Sequence, residues 1–404
     1  MEEKSPVYLV MVTTNNNNKY YRMIPHGDTF EAEYGRVGAS CQHASYSMSQ
    51  WNKKYNEKIK KGYVDQTHLV QDLIQKEKPR GKDGYKEIEN KVIAEIVQRL
   101  QDMAHQKIQA NYKVSSQQVT QAMVDEAQKV IDKLMQREEV EDFNNTLLEL
   151  FSVIPRKMGN VNDYLSRSKE DFARILKDEQ DLLDVMRGQV VTHTVQDEPD
   201  TNDVEEKQET ILEAMGLEFE ETTEEDVRMI KSLLGDCRDK FYRAWRVKNI
   251  KTQKRFDEFV NKEHISKTKL LWHESRNENW WSIINTGLVL RPTNAVITGK
   301  MFGFGIYYAP KARKSLGYTS LSGSYWARGN SNSAFMALMD VAYGKPYDVH
   351  SFDSKYYDFN YERLQKTCPG ANCLHAHAGS MLRNDEIIVY KEDQCTIKYL
   401  VELR

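Results

Sequence analysis

Leu270-Leu271-Trp272-His273-Glu274-Ser275-Arg276 is the stretch on which the reading of this chain turns. An apolar, β-prone run ends in an imidazole, which suits a strand delivering a histidine to a site at its end. Two later stretches share this pattern. Met301-Phe302-Gly303-Phe304-Gly305-Ile306-Tyr307-Tyr308-Ala309-Pro310 sets a phenol in an apolar run, and Asn384-Asp385-Glu386-Ile387-Ile388-Val389-Tyr390 sets a carboxylate at the head of one. An imidazole, a phenol and a carboxylate so placed are awkward in a plain core. They suit a site that grips a polar ligand and steadies developing positive charge.

A length of 404 residues predicts two to four domains. Hydrophobic content of 40% with 10% aromatics supports real cores and excludes a disordered chain. A net charge of −3 and a pI near 6.4 exclude a surface built wholly for nucleic acid, while leaving room for one basic face. Residues 1–70 carry 9 Lys/Arg against 7 Asp/Glu, with five of the lysines between Lys53 and Lys61. No apolar run approaches the roughly 18 residues of a spanning helix, and the Met1-Glu2-Glu3-Lys4 start does not read as a secretory signal. Five cysteines, an odd number without regular spacing, read as free thiols in a reducing compartment. The expectation is a soluble intracellular protein without membrane partners.

The pattern along the chain predicts a multidomain α+β protein. Val7–Val12, Lys19–Ile24 and Phe30–Val37 alternate as strands, followed by a helix from Met48 to Lys61 that stops at Gly62. This small sheet-and-helix domain is assigned to 1–76, with a linker at 77–84. Ile88, Val92, Ile96, Leu100 and Met103 then form a helical stripe, and Ser115 with Gln118 reads as a capping box. Phe143–Ile154, stopped by Pro155, and Phe172–Met186, stopped by Gly188, complete a helical bundle over 85–190. Residues 191–208 read as a second linker. From 205 to 404 a helix over Glu224–Trp245 leads into strand-rich sequence that closes with Cys395–Leu403.

From Leu270 onward the chain resembles the poly(ADP-ribose) polymerases. Their Leu-Trp-His-Gly-Ser-Arg appears as Leu271–Arg276 with Glu274 in place of Gly, and their Gly-Ile-Tyr-Phe-Ala as Gly305–Ala309. Their Lys-Ser-x-x-Tyr appears as Lys314, Ser315 and Tyr318, and their Glu-x-Ile-Val-Tyr as Glu386–Tyr390. Taken singly, His273 is an ordinary strand-end histidine, Tyr307, Tyr308 and Tyr318 are core aromatics, and Glu386 is a strand-edge charge. Four matches in family order outweigh those readings.

The resemblance implies a mixed, β-rich ADP-ribosyltransferase domain with NAD+ as substrate and a catalytic triad of His273, Tyr307 and Glu386. It implies that His273 fixes the adenosine half of NAD+. Ser315 and the backbone of Glu274 hold the carboxamide, with Ser275 and Lys314 beside them. Tyr318 and Tyr307 wall the pyridinium, and Glu386 stabilises the cationic ribose and polarises the acceptor. The loop 287–305 is expected to cover the donor pocket. Three departures stand out: Glu274 itself, Val289 where the family often has Arg (with Arg291 two residues on), and Arg383, Asn384 and Asp385 ahead of Glu386.

Tyr34-Gly35-Arg36-Val37-Gly38 resembles the name-giving Trp-Gly-Arg-Val-Gly of the WGR domain. This implies DNA contacts by Tyr34, Arg36, Lys53 and Lys54, with strand breaks or ends as the partner. Residues 85–190 resemble the regulatory helical domain of the family at Lys113-Val114-Ser115, at Ser152-Val153-Ile154-Pro155 and at Leu182–Gly188. Cys368, Cys373, His375 and His377 have a spacing that suits zinc, but the family has no counterpart there. They read as an ordinary loop with incidental thiols, and no metal is expected. The function expected is that of a DNA-damage-activated polymerase that modifies proteins, itself included, in the nucleus by family likeness. Single-unit transfer, or a DNA-end scaffold weakened by Glu274 and Val289, are the alternatives.

Overall fold

Apolar alternation between Val7 and Arg36 builds three antiparallel strands: β1 (Val7–Thr13), β2 (Asn17–His26) and β3 (Thr29–Arg36). The computed structural model describes residues 4–70, 86–111, 119–196, 209–290, 301–324, 329–379 and 382–404, the last six of 119–196 by backbone alone. Strands β4 (Gln42–Ser47) and β5 (Val64–Asp65) complete a sheet of order β4-β3-β2-β1-β5. Sequence reading missed β4, whose polar residues carry no apolar alternation and owe their extension to pairing with β3. Helix α1 (Trp51–Lys60) follows one 3-10 turn and ends at Gly62, where φ is +89°. Trp51 meets Phe30 edge-on, with ring centroids 5.0 Å apart, and closes a core with Leu9, Tyr21 and Met23.

The helices that follow are α2 (Lys91–Asn111), α3 (Gln121–Leu134), α4 (Val140–Val153) and α5 (Phe172–Gln196). In α2 the buried stripe is Ile93, Ile96, Val97, Leu100, Ala104 and Ile108. The expected stripe through Ile88, Val92 and Met103 is therefore corrected: a period of 3.6 selects the i, i+3, i+4 face, and Ile88 precedes the helix. The Ser115 and Gln118 cap falls at residues outside the described ones; α3 is capped by Thr120, whose Oγ accepts from Met123 N at 3.1 Å. Gly188 does not stop α5, which runs on to Gln196. One helical glycine costs about 1 kcal/mol against Ala, too little to end a well-packed helix.

The chain divides into two compact units, one of the described residues in 1–82 and 105–190, the other of those in 83–104 and 191–404. Within the first, Arg156 and Glu179 form a two-pronged ion pair at 2.7 Å on each arm, both side chains under 8% exposed.

The second unit holds two sheets. One has the order β6-β7-β14-β10-β8, from β6 (Leu217–Glu221), β7 (Phe241–Asn249), β8 (Lys269–Glu274), β10 (Ala334–Val341) and β14 (Cys395–Leu403). The other has the order β11-β12-β13-β9, from β9 (Ile306–Tyr308), β11 (Pro346–Val349), β12 (Cys373–Ala376) and β13 (Glu386–Val389). Strand β10 reads Ala-Phe-Met-Ala-Leu-Met-Asp-Val and is buried at all but Asp340, as a central strand covered on both faces must be. Its Phe335, Met336 and Leu338 side chains are fully buried, each contributing about 1.5–3 kcal/mol by area.

The helices of this unit beyond the start of α2 are α6 (Ile211–Met215), α7 (Glu224–Leu234), α8 (Ile250–Lys262), α9 (Trp280–Thr286), α10 (Ala312–Leu316) and α11 (Tyr361–Thr367). The helix expected over Glu224–Trp245 is corrected to α7 alone. Gly235, at φ +54°, turns the chain, and the aromatic, β-branched run from Phe241 forms β7.

Candidate active site

The two sheets of the second unit meet edge to edge. Trp272 N donates to Ala309 O at 3.0 Å and Ala309 N returns the bond to Trp272 O at 2.9 Å, so β8 and β9 abut just before His273. Glu274 lies two residues further along the edge strand β8. By strand alternation its N–H and C=O point to the same side as those of Trp272.

His273 Nδ1 donates to the carbonyl oxygen of Tyr307 at 3.0 Å, and since a carbonyl can only accept, the proton belongs on Nδ1. Its ring is flanked by Tyr308, 5.7 Å away between centroids, and by Trp280 edge-on at 6.5 Å. Tyr307 Oη accepts from Phe302 N at 3.0 Å and donates to Gly303 O at 3.1 Å. Burial raises its pKa well above that of an exposed phenol, so it acts neutral. The glycines beside it are required by space. A Cβ on Gly303 would collide with the backbone of Phe359, and one on Gly305 with the side chain of Ile388.

Glu386 opens β13, two residues before Ile388, which pairs with Tyr307 across β13 and β9. Alternation puts Glu386, Ile388 and Tyr307 on one face. Lys314, on α10, forms an ion pair with Glu386, and the two side chains are 16% and 15% exposed. Burial pulls the Lys314 ammonium down to about 8, against the nearby carboxylates of Glu274 and Asp385 that hold it up. Glu274 also acts on the Tyr318 hydroxyl, which burial chiefly raises. His273, Glu274, Tyr307, Lys314, Tyr318 and Glu386 thus form one connected group.

Ser315 is 0% exposed, and its Oγ has no hydrogen-bond partner among the described residues. A buried hydroxyl left this way costs about 1–3 kcal/mol, which a ligand amide would recover. Tyr318 is 38% exposed, so its ring face is available for stacking. Ser275 Oγ accepts from Asn279 Nδ2 at 3.0 Å and supports the turn after the strand. Val289 is half-buried; Arg291 and the loop centre, 291–300, lie outside the described residues. The Lys314–Glu386 pairing was not foreseen, because residues so far apart in sequence give no spacing signal.

Sequence reading set His375 and His377 with Cys368 and Cys373, but the structure groups them differently. The two histidines cluster with Asp348, while Cys373 is buried and donates from Sγ to Tyr343 O at 3.3 Å.

In the first unit, Arg36 bonds to the carbonyls of Asn16 (2.9 Å), Met158 (3.0 Å) and Gly159 (2.7 Å). Tyr34 stacks on Tyr21 at 5.6 Å, with Lys58 above both. Lys53 is exposed, and Lys54 lies over Tyr46 at 4.4 Å.

Comparison with known families agrees with this layout. Residues 224–404 match the poly(ADP-ribose) polymerase catalytic domain, and residues 5–70 match the WGR domain. A putative poly [ADP-ribose] polymerase-like protein 100L of Invertebrate iridescent virus 6 is 31% identical over 168 residues, 41% of this chain and 87% of its own length. The uncharacterized protein 101L of the same virus is 32% identical over 232 residues, 56% of this chain and 94% of its own. Human poly [ADP-ribose] polymerase 2 is 39% identical over 84 residues, 21% of this chain and 13% of its own length.

Proposed function

Because this chain belongs to the poly(ADP-ribose) polymerase family and is an NAD+ ADP-ribosyltransferase, we propose that it is a polymerase activated by DNA breaks, which modifies protein side chains including its own. The observation that carries the reading is the convergence of His273, Tyr307, the Ser315 hydroxyl without a partner among the described residues, and the Lys314–Glu386 pair at the junction of two edge strands.

The residues fit NAD+ as substrate. Ser315 Oγ and the Glu274 backbone bind the carboxamide, Tyr318 stacks on the pyridinium and Tyr307 forms the opposite wall. His273, with Nδ1 held by Tyr307, meets the adenosine ribose through Nε2. As the nicotinamide–ribose bond breaks, its electron pair leaves with the ring nitrogen and positive charge develops at ribose C1′. Glu386 stabilises that cation and takes the proton of the attacking acceptor hydroxyl. One such preorganised charge is worth a factor of roughly 10²–10³ in rate.

DNA breaks are proposed to bind the β3 and α1 face through Tyr34, Arg36, Lys53 and Lys54, mostly by phosphate contact and therefore with strong salt dependence. Arg36 supports a route for activation. It ties the sheet to the carbonyls of Met158 and Gly159, so a phosphate competing for its guanidinium loosens the connection between α4 and α5 that it holds. Work on DNA ends implies a nuclear location by family likeness. No helix among the described residues is long and apolar enough to cross a membrane.

Labelled NAD+ given to the purified chain with and without nicked DNA tests the proposal. It predicts DNA-dependent, high-mass label on the protein. Label of single-unit size would favour mono-transfer, and no label with intact DNA binding would favour a scaffold.

A further inference from the structure

We propose that Asp348, His375 and His377 form a binding site for a divalent transition metal, zinc or cobalt by its chemistry, on the sheet that carries Glu386. Their ligand atoms all lie within 4.8 Å of one another. The fold makes this possible because β11 and β12 run parallel with Asp348 opposite His375, and His377, two residues beyond His375 in extended chain, lies on the same face. The imidazoles of His375 and His377 stack at 4.0 Å between centroids.

Two carboxylates bracket this stacked pair. On one edge, Asp348 Oδ1 lies 2.7 Å from His377 Nε2 and 3.9 Å from His375 Nδ1. On the other, Asp385 Oδ2 lies 3.0 Å from His375 Nε2 and 3.9 Å from His377 Nδ1. Asp385 is itself fixed, its Oδ1 accepting from Ala378 N at 2.8 Å.

A carboxylate that accepts from one imidazole nitrogen sets the tautomer so that the other nitrogen offers its lone pair to a metal. Asp385 does this for His375: with the proton on Nε2, the lone pair is on Nδ1, the atom facing Asp348. His377 carries its proton on Nε2, which donates to Asp348 Oδ1 at 2.7 Å, so a metal binding there takes the place of that proton and releases it. Two imidazoles and a carboxylate are a borderline-soft nitrogen and oxygen set, suited to zinc rather than magnesium or calcium.

At present the Tyr343 hydroxyl, 2.8 Å away, donates into the His375 Nδ1 lone pair. A metal has to displace it. That bond sets a cost on binding which a tyrosine lacking its hydroxyl would not impose.

The test uses the full chain, stripped with a chelator, dialysed against Zn²⁺ or Co²⁺ and analysed for metal content and cobalt absorption. One metal per chain is expected. Binding should be lost in His377→Ala and in Asp348→Asn, weakened about 10–100-fold in Asp385→Asn, retained in Cys368→Ser and tightened in Tyr343→Phe. Each variant is checked for native circular dichroism. The assignment is overturned if the wild-type chain retains no metal, if His377→Ala and Asp348→Asn both retain it, or if Cys368→Ser abolishes it through loss of a thiolate–cobalt band.

Discussion

Lys314 and Glu386 hold one another as an ion pair at the cleft where the two sheets meet, with only 16% and 15% of their side chains exposed. The acid proposed to stabilise the ribose cation is therefore aimed by a neighbour on a different element. Burial opposes this by favouring the neutral amine.

The sign of the pH effect follows from Lys314. Its folded pKa, lowered to about 8, lies below the 10.5 of an unperturbed lysine, so between those values the unfolded chain binds more protons. Stability from this group rises as pH climbs through that window, and the burial penalty is fully present below it. Turnover should move the other way: as Lys314 loses its proton, Glu386 loses its anchor and kcat falls. Direct contact with Glu386 puts the inflection at or above about 8. A pH–rate profile checks this, with Lys314→Arg expected to remove the alkaline limb.

Ser315→Ala separates ligand recognition from stability. Its Oγ is buried without a partner among the described residues, so removal should leave the melting temperature unchanged or slightly raised. KM for NAD+ should rise about 5–10-fold, the worth of one neutral hydrogen bond near 1 kcal/mol. A fall in stability with unchanged KM would place Ser315 in the core rather than the pocket.

Arg99 on α2 makes a two-pronged pair with Glu402 on β14, at 3.0 and 3.1 Å, and Glu402 is 0% exposed. Arg99→Met should cost about 2–3 kcal/mol. That is less than the ~3–5 of a fully buried pair, because Arg404 remains 3.4 Å from the carboxylate. Adding Glu402→Gln to that variant should restore part of the loss by removing the stranded charge. Tryptophan fluorescence during urea unfolding reads this, since Trp245, Trp272, Trp280 and Trp281 are all buried in the same unit.

These residues also show what the sequence can and cannot reveal. Period-2 alternation located β1 to β3, and Cys395–Leu403 forms β14 at the bounds expected of it. The reading failed where tertiary contact overrides local pattern, as at polar β4, which pairing extends, and at Gly188, which packing carries through a helix. At the site, ordered motifs named His273, Tyr307, Ser315 and Glu386. They did not reveal that Lys314 closes on Glu386, that Arg36 holds Met158 and Gly159, or that His375 groups with Asp348 rather than Cys368. Each of those contacts depends on strand order and register, which no single stretch encodes.

The most direct measurement compares wild-type chain with Glu386→Gln in labelled NAD+ and nicked DNA, following nicotinamide release and the size of protein-bound product. The account predicts long product from the wild type. It predicts release slowed by roughly 10²–10³ in the variant, with no chain elongation, while circular dichroism and NAD+ binding persist. Polymer of wild-type length from Glu386→Gln would contradict it.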